Sequence, residues 1–265
     1  MRVFEIPEGS KNSKGRAIQN LINIEQDDRV KAFICTQDLK DEEYVNNHYV
    51  IMATKMGQVK KTSLEQYSRP RSNGINAITV KDGDELLEAK LTNGNSQIML
   101  AVKSGKAIRF EEGKTRPMGR NASGVRGIKL KDNKDEVVGM ISVNDMDANI
   151  LVVSENGYGK RSSLEDYRLT NRGGKGVKTI SITEKTGKLV TLKSVSDSDD
   201  LMIINKSGIA IRMQVEDLRV MGRATQGVKV ISLKDGDSIA AVAKVMKDDD
   251  DIEDINDIEF TGDAV

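Results

Sequence analysis

A period of about fifty residues limits what this chain can fold into. The stretch Asn171-Arg172-Gly173-Gly174-Lys175-Gly176-Val177-Lys178-Thr179-Ile180 is a basic, glycine-rich turn that opens into a strand-like run. Weaker copies stand at residues 13–18, 72–78, 123–128 and 226–231. The turn glycines, Gly15, Gly74, Gly124, Gly176 and Gly227, lie 59, 50, 52 and 51 residues apart. A constant spacing of this size marks a repeat array, in which each unit completes its core against a neighbour.

Every repeat reads as four short strands. The turn glycine leads into a first strand (125–130, 177–182, 228–233). An acidic turn such as Lys81-Asp82-Gly83-Asp84 or Lys234-Asp235-Gly236-Asp237 separates it from a second (86–91, 137–143, 189–195, 239–245). The third is a continuous apolar run (50–53, 98–102, 150–153, 201–204), the pattern of a strand buried on both faces. A tight turn at Gly57, Gly105, Gly157 or Gly208 then leads to a basic fourth strand. That strand reads Val59-Lys60-Lys61, Ala107-Ile108-Arg109, Gly159-Lys160-Arg161 and Ala210-Ile211-Arg212. The expected fold is therefore all-β, an array of propeller-like four-stranded blades, and the absence of long helical periods excludes a βαβ arrangement. The only helical candidates are single turns such as Leu64-Glu65-Gln66-Tyr67 and Leu164-Glu165-Asp166-Tyr167, each after a serine able to cap it.

The repeats alternate. Lys61-Thr62-Ser63-Leu64-Glu65-Gln66-Tyr67 is matched by Arg161-Ser162-Ser163-Leu164-Glu165-Asp166-Tyr167, and Arg116-Pro117-Met118-Gly119-Arg120 by Arg219-Val220-Met221-Gly222-Arg223. The insertion at 37–48 stretches the first interval and is expected to be an exposed loop. Four whole repeats, from Gly15 to Gln226, are flanked by partial ones, so Met1 is expected to lie inside a blade of a longer protein.

A balanced total charge conceals an asymmetry. Residues 247–265 hold nine acidic side chains and one lysine, a net of −8, which leaves +8 on residues 1–246. A basic body with an acidic tail is a nucleic-acid binder's pattern. We read residues 1–246 as the folded domain and 247–265 as a disordered acidic tail that competes with DNA for the basic surface. No apolar run approaches the length of a membrane span and no signal peptide is evident, so no membrane partner is expected. Cys35 is the single cysteine; no internal disulfide can form, and the residue is expected to fill core.

Other chemistries fail on the residues present. A P-loop needs Gly-Lys-Ser/Thr, but Lys178-Thr179 has Val177 before it and Gly187-Lys188 is followed by Leu189. His48 is the only histidine and is assigned to a surface loop, so no metal site or histidine-based triad is expected. Asp248 to Asp251 lack the ligand spacing of a calcium loop. Tyr67, Tyr158 and Tyr167 are read as packing residues. The chain has no tryptophan and four phenylalanines, a poor supply for base stacking, which favours duplex over single strands.

The fifty-residue blade, its hairpin glycine, the basic strand and the Gly-x-basic turn resemble, over residues 1–246, the C-terminal domain of the DNA gyrase A protein. The related domain of topoisomerase IV is the second choice. The resemblance implies a β-pinwheel, a propeller-like array whose blades exchange strands, with no catalysis of its own. It implies duplex DNA as ligand, wrapped in support of ATP-dependent negative supercoiling. The N-terminal remainder of the gyrase A protein and the gyrase B protein would be partners. ATP and magnesium would act elsewhere in the enzyme, and the location would be cytoplasmic, on the chromosome. The family's seven-residue box, Gln-Arg-Arg-Gly-Gly-(Lys or Arg)-Gly, is matched in its last five positions by Arg172, Gly173, Gly174, Lys175 and Gly176; Thr170 and Asn171 replace the first two.

Glycines let backbone N–H groups approach a phosphate, and cations supply the long-range attraction. The expected DNA-binding set is therefore Arg172, Gly173, Gly174, Lys175, Gly176 and Lys178, with one cluster per blade around a rim. Those clusters are Lys60, Lys61, Arg69 and Arg71; Arg109, Arg116, Arg120 and Arg126; Lys160, Arg161 and Arg168; and Arg212, Arg219, Arg223 and Lys229. A propeller scaffold for protein partners is the alternative from another functional class.

Overall fold

Glycines in the left-handed region set the strand reversals. In the computed structural model, which describes residues 3–10, 16–22, 24, 28–71 and 73–245, Gly57, Gly105, Gly157 and Gly208 have φ of 82°, 81°, 77° and 85°. Each closes a hairpin between the apolar strand and the basic one, a turn that β-carbon-bearing residues make only with strain. The strands in chain order are β1 (Tyr49–Thr54), β2 (Gln58–Ser63), β3 (Leu86–Thr92), β4 (Gln97–Val102), β5 (Lys106–Glu111), β6 (Val125–Arg126), β7 (Val137–Val143) and β8 (Asn149–Ser154). They continue with β9 (Tyr158–Ser163), β10 (Val177–Lys178), β11 (Leu189–Val195), β12 (Asp200–Asn205), β13 (Ala210–Gln214), β14 (Val228–Lys229) and β15 (Ile239–Val245).

These strands form four antiparallel sheets, ordered β3-β1-β2-β6, β7-β4-β5-β10, β11-β8-β9-β14 and β15-β12-β13. In the first blade Met52 lies between Lys60 of β2 and Ala89 of β3. The short outer strands are exchanged. β6 follows the second hairpin in sequence yet pairs with β2 of the first blade (Val125 opposite Val59), and β10 and β14 repeat the step on β5 and β9.

The cores lie between blades. Ile51, Val59, Leu100, Ile108, Phe110 and Met140 pack the first blade on the second. Met99, Ile141, Val152, Leu164 and Tyr167 pack the second on the third, and Leu151, Ile203, Val215 and Val242 the third on the fourth. The central strands are buried on both faces because a blade stands on either side, which is why they read as unbroken apolar runs.

Several expectations need correction. The 37–48 insertion contains a helix, α1 (Glu42–Asn47), whose N-cap Asp41 accepts from the Tyr44 N–H at 3.1 Å. Val45 of that helix is buried against Val50, Met52 and Leu64 of the first blade. His48 ends it, its Nδ1 2.8 Å from the Tyr44 carbonyl, and is half-buried rather than on an exposed loop. Cys35 is exposed; its neighbours Ala32 and Ile34 face the core instead. The strands after the turn glycines span two residues where six were expected, because pairing stops where the chain leaves the adjacent blade. Tyr167 is buried and Tyr67 packs on the core of the first blade, as expected, whereas Tyr158 is half-buried and belongs to no core cluster among the described residues. Ser163 caps its turn by accepting from the Glu165 N–H, and Ser63 makes no equivalent bond. The turn at Gly15 and the acidic tail lie outside the described residues.

Candidate nucleic-acid interface

The turn glycines place the rim loops because no other residue fits there. A β-carbon on Gly124, Gly176 or Gly227 would stand 2.5, 2.5 and 2.4 Å from the carbonyl oxygens of Val59, Ala107 and Gly159, and all three have positive φ. Each loop is thus pressed onto the basic strand of the preceding blade. A parallel bridge fixes it there: Lys61 with Pro117, Arg109 with Leu169, Arg161 with Val220. The matching bonds run from Met118 N to Lys61 O (2.8 Å), Thr170 N to Arg109 O (2.9 Å) and Met221 N to Arg161 O (2.8 Å).

Successive loops are also tied to each other. Thr79 donates to the Ala122 carbonyl at 3.3 Å, Lys129 to Gly174 at 2.8 Å and Ser181 to Thr225 at 3.0 Å. These positions recur at fixed offsets from the turn glycine, so the loops form one continuous ridge across the blades.

Cations follow the same register. Arg116, Arg168 and Arg219 each stand eight residues before their turn glycine, and Arg126, Lys178 and Lys229 each stand two after it. All six are exposed, as are Arg69, Arg71, Lys175 and Arg212. Arg212 lies 2.7 Å from Asp200. The ridge therefore carries two regularly spaced rows of positive charge.

The basic fourth strand is where the structure departs from the sequence reading. Lys60, Lys61, Lys160 and Arg161 are buried. Lys60 donates from Nζ to the Ala77 carbonyl at 2.5 Å and to the Arg120 carbonyl. Lys160 donates to Gly222 O at 2.5 Å and Thr225 Oγ1 at 3.1 Å. Burial, with Arg120 adding repulsion, lowers the Lys60 ammonium to about 8. Burial lowers Lys160 to about 8 as well, with Asp166 opposing and Arg223 adding to the shift. Lys61 pairs with buried Glu112 at 2.7 Å, and Arg161 pairs with Asp197 and donates to the Leu218 carbonyl at 2.5 Å. Half-buried Arg109 donates to Gln97 at 2.6 Å and to the carbonyls of Leu164 and Tyr167 at 2.8 and 3.0 Å. These side chains hold the next blade's loops in place, and the four buried ones cannot reach a phosphate. A basic residue on a central strand gives the same sequence signal whether it faces water or caps a neighbour's carbonyls.

The arginine of the box-like turn has a split role. Arg172 donates from Nε to the Lys114 carbonyl (2.9 Å) and from Nη1 to the Arg126 carbonyl (3.0 Å). Arg223 repeats the second bond one blade on, to Lys178 O at 2.8 Å. Arg120, half-buried, donates its backbone N–H to Gln66 Oε1 at 3.1 Å and accepts from Lys60 at its carbonyl. By contrast, no described residue accepts from the N–H groups of Gly174, Lys175 or Gly176. They border a cavity of ≈ 320 Å³ that Arg109, Arg168, Thr170 and Asn171 also line. Open N–H groups beside an exposed lysine and arginine suit an oxyanion. Thr170 and Asn171, which the sequence reading treated only as departures from the box, are polar walls of this cavity. The buried hydroxyl pair that anchors the loop, Tyr167 to Thr179 at 2.5 Å, was also not foreseen.

Comparison with known proteins agrees with this architecture. The model of the DNA gyrase C-terminal domain, a beta-propeller, matches residues 1–37, 48–93, 97–144, 148–196 and 199–255. The chain is 43% identical over 251 residues to the DNA gyrase A protein of Staphylococcus epidermidis, covering 94% of this chain and 28% of that protein. It is likewise 43% identical over 253 residues to the DNA gyrase A protein of Staphylococcus aureus, covering 95% and 28%. The chain thus spans little more than a quarter of these relatives. Among solved structures, a topoisomerase IV C-terminal domain superposes with a TM-score of 0.80 at 25% identity, over 88% of this chain and 71% of that one. A DNA gyrase A C-terminal domain superposes with a TM-score of 0.77 at 26% identity, over 88% and 76%. With its five matched segments covering most of the sequence, this chain belongs to the DNA gyrase C-terminal domain family.

Proposed function

We propose that this chain binds duplex DNA along the ridge of turn loops and bends it around the blades, as the DNA-wrapping module of a gyrase A protein. The observation that carries this reading is the pair of exposed cation rows, Arg116/Arg168/Arg219 and Arg126/Lys178/Lys229, on loops bonded to each other. Equal offsets in successive blades present charge at regular intervals, as a phosphate backbone requires. Phosphate contacts carry most of the affinity and no sequence information, so binding is general to duplex. Smooth bending of a short site costs on the order of 1–6 kcal/mol, a load many weak contacts must share. In the parent enzyme the module serves ATP-dependent negative supercoiling in the cytoplasm. The rest of the gyrase A protein and the gyrase B protein are its partners there, with ATP and magnesium bound elsewhere.

Binding of the chain to linear duplexes of ~40 and ~140 base pairs across a salt series tests this. With roughly 6–10 phosphate contacts, affinity falls by about 10³–10⁵ between 50 and 200 mM salt, and the longer duplex binds more tightly. Salt dependence without a length effect would replace wrapping with local contact. Salt-independent affinity for a protein, and none for DNA, would overturn the proposal in favour of a scaffold.

A further inference from the structure

The parallel bridges that seat the turn loops carry a second repeated feature, and it is uncharged. The loop-side residue of each bridge is apolar: Pro117, Leu169 and Val220, opposite Lys61, Arg109 and Arg161. Each stands seven residues before its turn glycine and directly after the exposed Arg116, Arg168 or Arg219. The backbone around it is fixed by the bond that the next residue, Met118, Thr170 or Met221, donates to the basic strand. Its side chain nevertheless meets solvent. Pro117 is exposed, Leu169 is 44% exposed and Val220 is 53% exposed.

A single exposed apolar side chain needs no explanation, because folded surfaces carry many. Recurrence at one register position is different. The bridge is made by backbone atoms, so a threonine would serve it as well as valine and better than proline. Three unlike residues share the position, and what they have in common is a hydrocarbon surface beside a cation. The adjoining arginines specify the chemistry that would cover it: a surface that is negative and also offers carbon. A nucleic-acid strand does both. Along its backbone each phosphate adjoins a sugar, whose C–H face is apolar and alike in every nucleotide.

We propose that Pro117, Leu169 and Val220 are DNA contacts of an uncharged kind, each packing on the deoxyribose beside the phosphate bound by the arginine before it. The inference rests on the reading of the ridge as the duplex-binding surface and extends it from charge to hydrocarbon. A cation on a long side chain holds a phosphate but gives up rotamer freedom to do so. A short apolar side chain on a bonded backbone adds contact at little ordering cost and sets how closely the duplex lies on the ridge. It also supplies affinity that salt does not screen, since apolar burial releases no counterions. Binding then has two parts, a salt-dependent one from the cation rows and a salt-independent one from the apolar row. Sugars carry no sequence information, so the second part is as general to duplex as the first.

Leu169→Ser/Val220→Ser in the full chain tests this, with the parent chain and Met56→Ser beside it. Met56 is 51% exposed and lies on the hairpin between β1 and β2, not on a turn loop. All three positions are exposed, so the urea midpoints should match that of the parent. On the ~140-base-pair duplex the double variant is expected to bind about tenfold more weakly at every point of a salt series, with an unchanged slope of log affinity against log salt. The factor should be the same on AT-rich and GC-rich duplexes, and Met56→Ser should bind as the parent does. Affinity within about twofold of the parent would overturn the uncharged contact and leave the cation rows standing. Three other results would also overturn it. A flatter slope would mean that the substitutions act by displacing the arginines. A loss confined to one base composition would assign the side chains to base edges instead of sugars. An equal loss in Met56→Ser would show that the effect is not local to the ridge. A parent chain that fails to bind duplex at low salt would remove the DNA reading itself, and this inference with it.

Discussion

Lys61 offers the sharpest test of whether the basic strand builds the blades or touches DNA. Its ammonium lies 2.7 Å from Glu112, with the two side chains 6% and 0% exposed. Glu112 also accepts from Thr92 Oγ1 at 2.7 Å and from the Ser96 N–H at 3.2 Å, and the Lys61 ammonium sits 4.0 Å from the centre of the Tyr49 ring. Lys61→Met leaves a buried carboxylate with hydrogen bonds but no countercharge, a defect that costs about 3–5 kcal/mol. Lys61→Met/Glu112→Leu removes both charges and should regain most of that loss, because two desolvated ions are replaced by apolar volume. Urea unfolding gives the values, and the coupling between the two substitutions gives the pair's contribution. At a temperature where Lys61→Met remains folded, its affinity for duplex should lie within about twofold of the parent, with an unchanged salt slope. A stability loss under about 1 kcal/mol together with a salt slope smaller by about one contact would refute the reasoning, since that is how an exposed phosphate ligand behaves.

Other outcomes follow from the same geometry. Replacing Lys178 and Lys229 together by Gln should flatten the slope of log affinity against log salt by about 1.8, at about 0.9 per lost phosphate contact, with little change in stability; an unchanged slope would remove them from the interface. Gly176→Ala, at φ 70° with its new carbon 2.5 Å from the Ala107 carbonyl, should cost more than about 2 kcal/mol, whereas Gly222→Ala, with nothing within 4 Å, should be near neutral. Lys160 titrates near 8 in the fold and near 10.4 when unfolded, so the native state sheds its proton first. The unfolded chain then binds more protons between those values, and stability relative to Lys160→Met should rise as pH goes from about 8 to about 10.4. A difference in denaturation midpoint that stays constant between pH 7 and 10 would show that the buried ammonium is not destabilised.

The blade plan was legible before any coordinates because it rests on local rules. Hairpin glycines need left-handed φ, strands between two sheets need apolar runs, and both needs recur every fifty residues, so Gly57, Gly105, Gly157 and Gly208 with the runs before them mark the array. That each repeat carries its own basic cluster was legible for the same reason. What the sequence alone could not show was which blade a strand joins and which way a cation faces. β6, β10 and β14 pair with the basic strand of the preceding blade, a choice made by close packing of glycine on a carbonyl and not by any strand propensity. That exchange brings the loop carbonyls of Arg120 and Gly222 over Lys60 and Lys160 and converts expected phosphate ligands into buried hydrogen-bond donors. The helix in the first insertion arose likewise from a tertiary need, the burial of Val45 against a blade face that would otherwise stand open. Period and charge are properties of the chain read in order, whereas the direction in which Lys61 or Arg126 points depends on a neighbour some fifty residues away, and only the folded arrangement places that neighbour.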